Sequence, residues 1–172
     1  ARSSPPQAKR AARHRRAELT WLDSGAMGRV LLQGALLLDP ERAAPEPGDL
    51  LLDGTRIAAR LRPGERAPEE VRRVDLAGLA LAPGFLDLHH HGRVIFSDAL
   101  GAEVALRHDA SALLPHGTTA FLATTISTPE AALRELVTAL ARGIEAGGPG
   151  AHPIGIHLEG PWINPEASGA HS

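Results

Sequence analysis

Residues 118–158 read TTAFLATTISTPEAALRELVTALARGIEAGGPGAHPIGIHL, and this stretch decides the fold. Residues 118–125 are rich in β-branched and apolar side chains, which suit a strand. Over residues 129–145, Leu133, Leu136, Val137 and Leu140 recur at helical spacing and form one face. Thr128 stands where an N-cap belongs, and Pro129 where the first helical residue belongs. Gly147-Gly148-Pro149-Gly150 stops the helix, and residues 154–158 return to a strand.

The same rhythm extends toward the N-terminus. Residues 85–89 predict a buried strand. Residues 101–114 predict a helix whose apolar positions are Val104, Leu106, Ala110, Leu113 and Leu114. The second half of the chain is therefore β–α–β–α–β, an α/β pattern that calls for a parallel sheet or barrel. A closed barrel needs about eight such units and typically about 250 residues. Residues 81–172 are accordingly expected to hold the first three strands and two helices of a truncated barrel. Ahead of them, residues 28–80 read as a small β unit. It contains an apolar run at 30–38 broken by Gly34, a Pro/Gly-rich turn (ERAAPEPGD, 41–49) and a hairpin over 49–60 about Asp53-Gly54. A further strand pair or extended segment follows at 71–81, bent at Gly78.

The 172 residues are 43% hydrophobic and 22% charged, a globular balance. Aromatics make up 3%, so Leu, Ala, Val and Ile must build the core. A net charge of −2 gives no electrostatic ground for a nucleic-acid partner. Cysteine is absent, so any metal must be held by His and carboxylate, and a reducing, cytoplasmic setting fits. No apolar run approaches the roughly 18 residues of a membrane span. Residues 1–26 carry six Lys/Arg against two acids, a net of +4 that leaves −6 for the rest. With Met27 the only methionine, residues 1–26 are expected to be a disordered or non-native leader.

Three clusters could carry chemistry. Side chains alternate along a strand, so Asp87, His89 and His91 should share one face, and Leu86, Leu88 and His90 the other. Two imidazoles at i and i+2 suit one divalent ion, and catalytic residues of barrels gather at strand C-termini. The competing reading is an exposed His-rich turn, or chelation without function; His90 itself reads as a packing or surface residue and not as a ligand. In the second cluster His157 and Glu159 project from one face of an apolar strand end. An unpaired carboxylate there is costly, so it takes either a metal or a Lys/Arg partner. The third is His171, in a loop by composition, where a plain surface histidine is the competing reading.

Taken together, these segments resemble one family. APGFLDLHHHG (82–92) resembles the PGF-x-D-x-H-x-H-G signature of the amidohydrolase superfamily, and HGTTAFLATTIST (116–128) resembles a segment common in sugar deacetylases. GIHLEGPWINPEASGAH (155–171) is similar, nearly residue for residue, to a block of the N-acetylglucosamine-6-phosphate deacetylases. That family implies a β-sandwich built from both chain ends beside a (β/α)8 barrel, with residues 28–80 as the N-terminal share of the sandwich. It implies that Glu159 is the carboxylate metal ligand and that His89 and His91 supply a further metal site. One or two divalent ions (Zn, Fe, Mn or similar) would then bind. His171 would contact the substrate near its acyl carbonyl, with His157 and Asp87 in support. The implied substrate is an amino-sugar phosphate, and the relatives are commonly homodimers. The general-base aspartate and two more histidine ligands are expected beyond residue 172, so these residues alone should be inactive. Residues 93–98 (RVIFSD) depart from the glycine-rich loop of many relatives. The alternatives are a dihydroorotase-like or deaminase-like amidohydrolase, or a non-catalytic relative that keeps the fold.

Overall fold

The computed structural model describes residues 28–92, 99–169 and 171. The expected leader at 1–26, Met27 and the divergent segment 93–98 lie outside the described residues. The chain forms two compact units that divide between Pro83 and Gly84.

The first unit is a sheet of β1 (Arg29–Leu37), β2 (Glu46–Asp53), β3 (Arg56–Leu61), β4 (Arg72–Asp75) and β5 (Ala80–Leu81). Its order is β3-β2-β1-β4, with β5 also on β1. The expected hairpin closes at the Asp53–Arg56 pair, with Gly54 at φ 57°. β2 starts earlier than the sequence suggests: Glu46, Pro47 and Gly48, read as turn, pair with Leu37, Leu36 and Ala35. The cause is a bulge in β1 between Leu32 and Ala35, where Gly34 takes φ 78°. The buried Asp49 carboxylate accepts the Gly34 N–H at 2.7 Å, which occupies a donor that the irregular ladder would strand. The bulge also shifts the side-chain parity. Val30 and Leu32 before it and Ala35 and Leu37 after it therefore bury together with Val74 and Leu76. Leu31, Leu51 and Ala67 form a separate buried cluster. β4 and β5 do not pair with each other; both lie parallel to β1, and Gly78 (φ 76°) is the bend between them.

The second unit alternates β6 (Phe85–His90), α1 (Ala102–Leu113), β7 (Thr118–Thr125), α2 (Glu130–Ala146) and β8 (His152–Leu158). The strands form a parallel sheet in the order β6-β7-β8. Phe121 and Ala123 of β7 pack with Ala102, Ala105, Leu106 and Ala110 of α1 and Leu136 and Leu140 of α2. Fully burying a side chain of Leu or Phe size contributes about 1.5–3 kcal/mol, so this seam is the unit's main apolar stabilisation. Gly143 permits the helix approach, because a Cβ there would lie 3.0 Å from Leu106 Cδ2.

Three local expectations change. Val104 is 64% exposed, and the buried stripe of α1 is instead Ala102, Ala105, Leu106, Asp109 and Ala110. Thr128 does not cap α2: its hydroxyl donates to Ile126 O, and Pro129 is the N-cap residue, its carbonyl accepting the Leu133 N–H. β6 is not buried; Phe85, Leu86 and Leu88 are exposed, because among the described residues only β7 pairs with it.

Candidate metal centre

The three strands run parallel, so their C-terminal ends share one edge of the sheet. There His89 and His91, at and just beyond the end of β6, meet Glu159, which follows β8. His89 Nε2 lies 3.0 Å from His91 Nε2 and 3.2 Å from Glu159 Oε2. His91 Nε2 lies 2.9 Å from the same oxygen. Metal bonds from His nitrogen and carboxylate oxygen are about 2.0–2.2 Å, so neighbouring donors of one ion stand about 3–3.5 Å apart. The observed triangle has that size. Two Nε2 atoms at 3.0 Å also cannot both point a proton at each other. A shared cation accommodates both lone pairs, and the donor set fits a divalent ion of the Zn, Mn or Fe type.

His171 completes the cluster from the loop after β8. Its Nδ1 accepts the Ser127 main-chain N–H at 3.3 Å, and its Nε2 is 3.4 Å from Glu159 Oε1. Because Nδ1 is an acceptor, the neutral ring carries its proton on Nε2. Glu159 thus offers one oxygen to the His89/His91 pair and the other to His171. Burial strips water from this carboxylate and pushes its pKa up. In the metal-free protein, hydrogen bonds from His89 and His171, with the charge these rings carry when protonated, outweigh that and hold it below the ordinary 4.5. Gly160 (φ 93°) lets the loop run close to Ser127, where a Cβ would meet Ser127 Cα at 3.2 Å.

The flanking histidines have separate surroundings. The His157 ring stands edge-on to His89, with centroids 4.8 Å apart, and its Nδ1 is 3.4 Å from Thr124 Oγ1. His90 turns away onto Phe121, at a ring distance of 5.2 Å. The simple alternation read for Asp87 fails. β6 carries one residue more than β7 between the Asp87–Phe121 and His90–Ala123 pairs, a bulge. Asp87 therefore accepts the His89 main-chain N–H at 3.1 Å and stands 3.7 Å from His90, and it is not among the grouped donor atoms.

Two participants escaped the sequence reading. A main-chain donor such as Ser127 N–H leaves no side-chain signal. Asp109, 1% exposed, sits on the 102–105–106–109–110 stripe of α1, and that periodicity alone could have flagged it.

Residues 80–172, slightly more than half of the chain, match the Amidohydrolase family. The chain belongs to the amidohydrolase family. This amidohydrolase is 38% identical to human N-acetylglucosamine-6-phosphate deacetylase over 146 residues, which is 81% of the chain and 30% of that enzyme. It superposes on the Pasteurella multocida N-acetylglucosamine-6-phosphate deacetylase with a TM-score of 0.68 at 27% identity, over 84% of this chain and 37% of that one. A Mycobacterium smegmatis N-acetyl-D-glucosamine-6-phosphate deacetylase, solved with N-acetyl-D-glucosamine-6-phosphate, gives 0.66 at 30% identity, over 84% and 36%. The chain thus spans about a third of the length of these relatives and corresponds to the N-terminal part of their barrel fold. No described helix is long and apolar enough to cross a membrane.

Proposed function

We propose that the protein carrying this chain hydrolyses the N-acetyl group of N-acetylglucosamine 6-phosphate, giving glucosamine 6-phosphate and acetate. The observation that carries this reading is the convergence of His89, His91 and Glu159, with His171 on the second Glu159 oxygen, in a chain that aligns with enzymes of that name. His89, His91 and Glu159 would hold one or two divalent ions. A bound ion of this kind lowers the pKa of water and polarises an acyl oxygen.

The residues of this chain then have distinct tasks. His171, kept with its proton on Nε2 by the Ser127 N–H, would turn that one N–H from Glu159 Oε1 to the acyl oxygen as negative charge develops there. Glu159 is a carboxylate ionised at neutral pH, its ordinary 4.5 lowered further by its neighbours, so it can serve as ligand, and its Oε1 lies against the His171 ring. His157 braces His89 edge-on. Proton transfer from water to the departing amine is assigned to an aspartate beyond residue 172, as the family resemblance implies. The C–N bond breaks, a C–O bond forms, and the amine leaves protonated. The intact enzyme is taken as a cytoplasmic homodimer acting on a small molecule rather than on nucleic acid.

The test is acetate release from N-acetylglucosamine 6-phosphate by the purified, metal-loaded intact protein. Turnover that vanishes in Glu159→Gln supports the reading. A well-folded, metal-bearing protein with no turnover on this substrate would refute it.

A further inference from the structure

Behind the metal triangle lies a second, separate set of polar contacts. Asp109 is almost wholly buried within the apolar stripe of α1. Its Oδ2 is 3.4 Å from His90 Nε2, and its Oδ1 is 3.3 Å from His108 Nδ1. On the other side of the His90 ring, Nδ1 is 3.7 Å from Asp87 Oδ2, and Asp87 Oδ1 accepts the His89 main-chain N–H. The contacts run unbroken from α1 through Asp109, His90 and Asp87 to the backbone of His89. They span the β6 bulge, the point where strand geometry alone does not dictate the aim of the next side chains. The Asp109–His90 separation is within ion-pair range, though its angles fall short of a hydrogen bond. The ring is further fixed by its edge-to-face contact with fully buried Phe121.

We infer that His90, anchored on Asp109, is a positioning residue that sets the bulge of β6 and so aims His89 and His91 at the metal. The inference rests on the metal-binding reading above. It assigns a task to the middle histidine of the HHH run and to a buried carboxylate on α1, the helix that follows β6. Residues that orient metal ligands typically govern affinity by about 10- to 100-fold when replaced.

The experiment uses the intact protein and two probes: zinc affinity by competition with a chromophoric chelator, and the visible absorption of the cobalt-substituted site. Asp109→Asn keeps the side-chain shape. It should weaken zinc binding about 10- to 100-fold and alter the cobalt spectrum while the metal-free melting curve stays close to wild type. Should Asp109→Asn fold poorly, the pair His90→Phe with Asp109→Leu replaces the polar contact by an apolar one that the buried site tolerates. That variant should fold and still bind zinc weakly. Wild-type zinc affinity and an unchanged cobalt spectrum in either folded variant would overturn the inference while leaving the metal site intact. A wild-type protein whose zinc binding ignores Glu159→Gln would overturn the underlying reading, and this inference with it.

Discussion

At the scale of single residues, Glu159 is the most informative group. Its folded-state pKa is lowered, so the contacts of its carboxylate stabilise the metal-free fold above its ordinary 4.5 and are lost as pH falls through the lower folded value. Wild type should therefore be more stable than Glu159→Gln near neutrality, and the gap should close on acidification below 4.5. Thermal melts of the two metal-free proteins across pH measure this, and a pH-independent gap would contradict it. His171→Ala removes the Nε2–H donor and should lower kcat by about 100- to 1000-fold with a smaller change in KM, as read from steady-state kinetics. Residue type and strand-end position pointed to His89, His91 and Glu159, which do converge, and the ligand role proposed for them came from the family resemblance. The Asp87 reading failed because a one-residue bulge breaks the alternation, and nothing in DLHHHG marks a bulge.

Among the elements, the alternation of strands and helices was readable because each carries its own period, and most ends fell within two or three residues of expectation. The misreadings arose where tertiary partners decide. The Pro/Gly-rich 46–48 segment joins β2 because β1 bulges to meet it, and Val104 lies on the wrong side of a stripe that includes a carboxylate. Close helix–loop contact offers a sharp test. Gly150 has φ 113°, and a Cβ there would fall 2.5 Å from the Ala110 carbonyl carbon and oxygen. Gly150→Ala should therefore cost more than about 1 kcal/mol in urea unfolding, where an unstrained glycine site would gain stability on the same change. Phe121→Ala, in the seam between sheet and helices, should cost about 3–5 kcal/mol by the same measurement.

For the whole molecule, the parallel sheet of the second unit has unpaired strand edges among the described residues, with Phe85 at 68% exposure and Leu86, Leu88 and Leu158 also open. Open edges and apolar faces of this kind favour association. A polypeptide of these 172 residues alone should elute as oligomers, bind a hydrophobic dye and release no acetate; a monodisperse, active product would contradict this. The two donor segments of the metal triangle lie 70 residues apart in sequence, on β6 and past β8, with β7 between them. Under the proposed reading, an ion held jointly by His89, His91 and Glu159 would gain its full set of donors only once both flanking strands have docked on the middle one. Metal uptake is then a reporter of chain assembly. The moment zinc becomes resistant to a chelator during refolding would date the closure of this sheet, and a protein denied its ion would lose a clamp across it.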